Sequence, residues 1–138
     1  MTTPAVLFVC VRNGGKSPMA AALLREAARS AGLDVVVGSA GTAPGTAVNP
    51  LSARVLTEVG LDIADHRPTA VTEQALDAAD LVVVLGREAR IDPLPAARVV
   101  TWDTDEPSER GIEGLERMRL VRDDIAARTR ALVAELRT

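Results

Sequence analysis

Leu81-Val82-Val83-Val84-Leu85 is an unbroken apolar run with no polar alternate, entered from Asp80. Such a strand offers apolar side chains to both faces, so it belongs inside a sheet covered on two sides, the usual setting of parallel strands. Parallel strands need long crossovers, and the rest of the chain has the segments to make them. Ala5 to Val11 is a second apolar run, ending in glycines. After Ser17-Pro18 comes Met19 to Ala28, rich in strong helix formers, with Gly32 placed to close the helix. Ser17 is the expected N-cap, and Pro18 in the first turn loses no hydrogen bond. Asp34 to Gly38 reads as the second strand and Ser39 to Gly45 as a turn-rich connection. Leu51, Val55, Leu56 and Val59 follow Asn49-Pro50 at helical spacing until Gly60, and Thr72 to Ala79 reads as a further short helix. Arg98 to Trp102 makes a fourth strand. From Ile112 to Leu136, apolar residues at 112, 115, 118, 121, 125, 132, 133 and 136 predict a long amphipathic helix with its arginines on the wet face.

Strands alternating with helices predict an α/β fold: a single domain over residues 1–138, with a four-stranded parallel sheet flanked by helices on both faces. Ligands in such folds bind beyond the carboxyl ends of the strands, where Cys10 lies. Acidic residues number 19 against 16 basic ones, and this net charge of −3 gives non-specific nucleic-acid binding no basic surface. No apolar stretch approaches the roughly 20 residues that span a bilayer, so no membrane partner is expected. No basic residue precedes the first apolar run, which therefore reads as a buried strand rather than a secretory leader, and the expected location is cytoplasmic.

The chain has one cysteine and one lysine, and both stand in Cys10-Val11-Arg12-Asn13-Gly14-Gly15-Lys16-Ser17; the other fifteen basic residues are arginine. A glycine-containing loop between strand and helix can turn its backbone N–H groups inward as a nest for a tetrahedral oxyanion, at the positive end of the helix dipole. The same field stabilises a thiolate, and a thiolate beneath a bound oxyanion is a nucleophile aimed at the central atom. The plainer alternative is a buried cysteine in a glycine turn beside a surface lysine. A nucleotide P-loop would need its first glycine near position 10, where the cysteine stands, so Gly15-Lys16-Ser17 is not a Walker element. One cysteine and one histidine fall short of a metal's usual ligand set, so no metal is assigned.

Cys-x5-(Arg/Lys)-Ser after the first strand resembles the low-molecular-weight protein tyrosine phosphatase superfamily, which includes arsenate reductases. Ser39-Ala40-Gly41-Thr42, Gly60-Leu61-Asp62-Ile63 through His66-Arg67-Pro68, and Asp103-Thr104-Asp105-Glu106-Pro107 fit that family in the same order, so the resemblance covers the whole chain. It implies Cys10 as nucleophile, an oxyanion held by Val11, Arg12, Asn13, Gly14, Gly15, Lys16 and Ser17, and a general acid at Asp105 or Glu106. Asn13 and Ser17 are expected to organise the loop and hydrogen-bond the thiolate, or to act only as turn and cap residues. Taken alone, His66 reads as a turn or capping residue and Trp102 as core.

Two departures from the phosphatase pattern matter. Lys16 replaces an arginine whose planar fork grips two oxygens, and Glu106 stands where the family's phosphatases place aspartate. Both weigh less for arsenate, whose hydroxyls exchange readily and leave as water. The loop and Glu113 to Asp123 are most similar to single-cysteine arsenate reductases that use mycothiol. Thioredoxin-coupled relatives carry a further cysteine just after the third strand, where this chain has Gly86-Arg87. Without an internal resolving thiol, an external one is required: mycothiol, or glutathione as the fallback, as co-substrate, with a mycoredoxin or glutaredoxin-like protein for the final reduction. No bound cofactor is expected. The alternatives are a low-molecular-weight phosphotyrosine phosphatase, for which the chain offers only Phe8 and Trp102 as ring-stacking partners, and a non-catalytic oxyanion-binding protein, which would need the nest but not the thiol.

Overall fold

The computed structural model describes residues 3–92 and 94–138. Four parallel strands, β1 (Ala5–Cys10), β2 (Val36–Gly41), β3 (Leu81–Leu85) and β4 (Arg98–Trp102), form one sheet in the order β2-β1-β3-β4. Between and after them run α1 (Lys16–Ser30), α2 (Pro50–Thr57), α3 (Glu73–Ala78) and α4 (Gly114–Leu136), with a short 3-10 turn at Pro107–Arg110. This is the α/β architecture expected of the apolar runs. Alternation along the strands divides the core in two. Val6, Phe8, Leu81, Val83 and Leu85 pack with α1, α2 and α4 on one face, while Leu7, Val9, Val82 and Val84 pack with Leu76 of α3 on the other. Phe8 and Val9 are wholly buried, which explains why neither central strand shows a polar alternate.

Three local expectations change. The second strand begins at Val36 and runs on through Ser39 to Gly41, because parallel pairing with β1 continues until Cys10 lies opposite Gly41. Ser17 is not an N-cap: α1 opens at Lys16 with Gly15 in the cap position, and the Ser17 side chain is buried beneath the loop. Helix α2 ends at Thr57, so Leu51 and Val59 are exposed and the buried face is Ser52, Val55 and Leu56.

Helix α1 ends as expected at Gly32, whose φ of +68° lets the Leu33 N–H reach the Ala28 carbonyl at 2.9 Å and the Gly32 N–H reach that of Arg29 at 3.2 Å. Along α4, Thr129 completes a buried face of Met118, Val121, Ile125, Leu132 and Val133. Two of its arginines depart from the wet face predicted for them. Arg122 is largely buried, donating to the Val55 carbonyl at 2.8 Å and to Glu58, and Arg117 faces the cavity at the strand ends. Among the described residues no helix is long and apolar enough to cross a membrane.

Candidate active site

The order β2-β1-β3-β4 means that the chain leaves β1 toward β2 on one side and finds β3 on the other. A parallel sheet opens a crevice at such a switch, beyond its carboxyl edge. A cavity of about 630 Å³ lies there, lined by Cys10, Val11, Arg12, Gly15 and Lys16 after β1, by Gly86, Arg87 and Glu88 after β3, and by Asp103, Glu106, Ser108 and Glu109 after β4.

The loop 10–15 is held by its carbonyl oxygens. Those of Cys10, Val11, Arg12 and Gly14 accept from the N–H groups of Thr42 (3.0 Å), Ala43 (2.8 Å), Gly45 (3.0 Å) and Asn49 (2.7 Å). The Gly15 carbonyl accepts from Met19 at 3.1 Å, and that of Asn13 from His66 Nε2 at 2.9 Å. Every carbonyl from 10 to 15 therefore has a partner. Among the described residues, the N–H groups of Val11, Arg12, Gly15 and Lys16, all in the cavity lining, have no protein acceptor. This is the donor pattern of an anion nest at a helix start. The segment 39–49 must approach closely to make these bonds: a Cβ on Gly41 would lie 2.7 Å from the Val11 carbonyl oxygen and one on Gly14 would lie 2.9 Å from that of Ala47. The Ser-Ala-Gly-Thr motif thus contributes an edge on which the loop is moulded.

Asn13 adopts the left-handed backbone at φ 53°, a conformation asparagine tolerates better than most residues. Its side chain is oriented by the Thr69 N–H, which donates to Oδ1 at 3.0 Å. The amide Nδ2 then donates to Ser17 Oγ at 2.7 Å, which leaves the Ser17 hydroxyl proton for Cys10 Sγ, 3.0 Å away. The Asn13 backbone N–H donates to the same sulfur at 3.2 Å. His66 Nε2 faces only acceptors, the Asn13 carbonyl and Oδ1 at 3.1 Å, so it carries a proton and braces the strained residue. Two donors therefore converge on one buried sulfur.

The structure therefore divides the predicted loop residues by position. Val11, Arg12, Gly15 and Lys16 line the cavity with Cys10; Asn13, Gly14 and Ser17 lie behind it as buried support. It also separates the two acidic candidates. Glu106 lines the cavity as the ion-pair partner of Lys16. Asp105 does not: its carboxylate is held by Arg110 at 2.8 and 3.1 Å, an interaction that lowers its pKa, and it lies outside the cavity lining. Across the mouth, Arg87 pairs with Asp103 at 2.8 Å and holds that carboxyl below its ordinary pKa.

Sequence reasoning missed Arg117 of α4, which completes the lining next to Glu106. The available signal was its position four residues before the buried Val121, where the core stripe calls for an apolar side chain. Trp102 packs on Phe8 with ring centroids 5.5 Å apart, and among the described residues no aromatic side chain lines the cavity. Among the described residues, no group of three or more His, Cys, Asp or Glu is arranged to hold a metal.

Residues 5–138 match the family model described as low molecular weight phosphotyrosine protein phosphatase. A protein of Brevibacillus brevis named arsenate reductase is 36% identical over 126 residues, 89% of each chain. A probable low molecular weight protein-tyrosine-phosphatase, EpsP of Ralstonia solanacearum, is 37% identical over 81 residues, so that match spans 59% of this chain and only 54% of the relative. The solved structure of an arsenate reductase from Archaeoglobus fulgidus superposes with a TM-score of 0.75 at 33% identity, covering 94% of this chain and 98% of that one.

Proposed function

The chain belongs to the low molecular weight phosphotyrosine protein phosphatase family, and from that premise we propose that it is an arsenate reductase of the kind that passes arsenic to an external thiol. Arsenate docks on the free N–H groups of the loop with Lys16 beside it. The Cys10 thiolate attacks the arsenic of dihydrogen arsenate, the As–O bond to one hydroxyl breaks, and that hydroxyl departs as water with the proton of the other, leaving a Cys10–arsenate adduct. A low-molecular-weight thiol, mycothiol by resemblance and glutathione otherwise, then attacks arsenic as its thiolate. The Cys10–arsenic bond breaks, the thiolate of Cys10 is regenerated, and the arsenic leaves still pentavalent on the small thiol. Reduction comes last: a redoxin thiolate attacks the sulfur of that conjugate, a disulfide forms, and the bonding pair passes to arsenic as arsenite is released.

One observation carries this reading. Among the described residues, the lining of the cavity that holds Cys10 has no second sulfur and no aromatic side chain, yet the cavity is far larger than a single tetrahedral oxyanion. Space for a small thiol beside the anion, and nothing to stack on a phosphotyrosine ring, is what the transfer requires. Relatives named arsenate reductase that match over most of both chains support it.

Phosphoester hydrolysis through the same Cys10 is the second reading, favoured by the position of Glu106 where an alkoxide leaving group would need a proton. Glu106 is, however, already engaged as the ion-pair partner of Lys16. The test runs two assays on one preparation: arsenate with mycothiol or glutathione and a matching redoxin, and an aryl phosphate alone. Arsenite formation that disappears in Cys10→Ser, without phosphate release, is the expected result. Phosphate release with no thiol-dependent loss of arsenate would establish the phosphatase instead.

A further inference from the structure

The loop's one ammonium is already engaged before any anion arrives. Lys16 Nζ is ion-paired with Glu106 Oε1, so an entering oxyanion meets a neutral pair whose outer member repels it. The other oxygen of that carboxylate, Oε2, lies 3.7 Å from Arg117 Nη2, close in charge terms but beyond hydrogen-bond length. Arg117 is otherwise poorly satisfied. Its Nε is buried without a partner, and Nη1 reaches only Met118 Sδ at 3.7 Å. A guanidinium has five donors, and one whose Nη2 stops 3.7 Å short of a carboxylate has a better arrangement within reach. Lys16, Glu106 and Arg117 all line the Cys10 cavity.

The geometry points to Arg117 as a positioning residue that takes the Glu106 carboxylate from Lys16 when an oxyanion binds. While the two are paired, Glu106 closes the lysine off. In the loaded site Glu106 moves onto the Arg117 fork, a closure of about 1 Å to charge-assisted hydrogen-bond length, and the freed ammonium turns to the anion. The arginine fork absent from the loop is thereby used on a carboxylate of the protein rather than on the substrate. This inference rests on the loop's binding an oxyanion, and holds whether that oxyanion is arsenate or a phosphate group.

Calorimetric titration with inorganic phosphate tests it in the parent, Arg117→Ala, Glu106→Gln and the double variant. Arg117→Ala is expected to weaken phosphate binding roughly five- to tenfold. Glu106→Gln should bind more tightly than the parent, and adding Arg117→Ala to it should change affinity less than about twofold, because no carboxylate remains to be moved. Arg117→Lys should recover most of the loss, and Arg117→Gln, which keeps the packed stem, replaces Arg117→Ala if that variant fails to fold. An equal loss with and without Glu106 would overturn the handover and place Arg117 on the anion itself. Undiminished binding in Arg117→Ala would overturn it too, whereas a parent that binds no phosphate would remove the oxyanion site on which it rests.

Discussion

Asn13 uses all of its polar groups within one small network: its N–H on the Cys10 sulfur, its amide nitrogen on Ser17, and its two oxygens on Thr69 and His66. Ser17 is the link that brings this order to the sulfur. Removing a hydrogen bond to a charged acceptor costs about 1.5–3 kcal/mol, so Ser17→Ala should slow alkylation of Cys10 by iodoacetamide at neutral pH roughly tenfold or more. An alanine variant that keeps its fold and reacts as fast as the parent would show that the hydroxyl does not support the thiolate. At this scale the placement of Cys10 to Ser17 between a strand and a helix start was legible in the sequence, because an apolar run, two glycines and a helix-forming run follow one another there. The division of labour within the loop was not. Which residues face the cavity and which brace it depends on bonds to residues 42–49, 66 and 69, all remote in the chain. Arg117 was hidden for the same reason: an arginine in an arginine-rich helix shows its role only once its neighbours across the fold are known.

Elements that cover the sheet are tied by charge as well as by apolar contact. Glu58, just past α2, accepts from Arg119 at 2.7 to 3.1 Å and from Arg122 at 2.8 Å, joining α2 to α4. These arginines, Arg119 first, lower the Glu58 pKa from 4.5 to about 2. A carboxyl whose folded-state pKa is depressed adds stability that is fully present above its unfolded value and is lost as pH falls through the folded one. Urea midpoints of the parent should therefore fall faster than those of Glu58→Gln between pH 4.5 and 2, the two curves converging at the acid end. Parallel curves through that range would mean that the pair contributes nothing. The strands were legible because burial on both faces leaves an unbroken apolar run. The face of α2 was not, since Leu51 and Val59 complete the apolar stripe in sequence while the helix turns Ser52 inward instead, toward Gly15 of the loop.

Across the whole molecule, the strand order creates the crevice, β1 delivers Cys10 to it, β3 and β4 deliver its far wall, and α4 closes the side with Arg117. The α/β class and the position of the site at the strand ends follow from the alternation of runs. The order β2-β1-β3-β4, which decides what stands opposite Cys10, required the structure. What stands there, among the described residues, is Gly86-Arg87 and the Lys16–Glu106 pair, with no second sulfur in the lining, and the proposed transfer to an external thiol builds on that arrangement. Mass spectrometry tests this directly: incubate the protein with arsenate and excess mycothiol, and in parallel glutathione, without any redoxin, and quantify the thiol–arsenate conjugate against Cys10. The expected result is conjugate well beyond one equivalent of protein, Cys10 returned as a free thiol, and none formed by Cys10→Ser. Absence of conjugate with both thiols, in a preparation that hydrolyses an aryl phosphate through Cys10, would contradict the account.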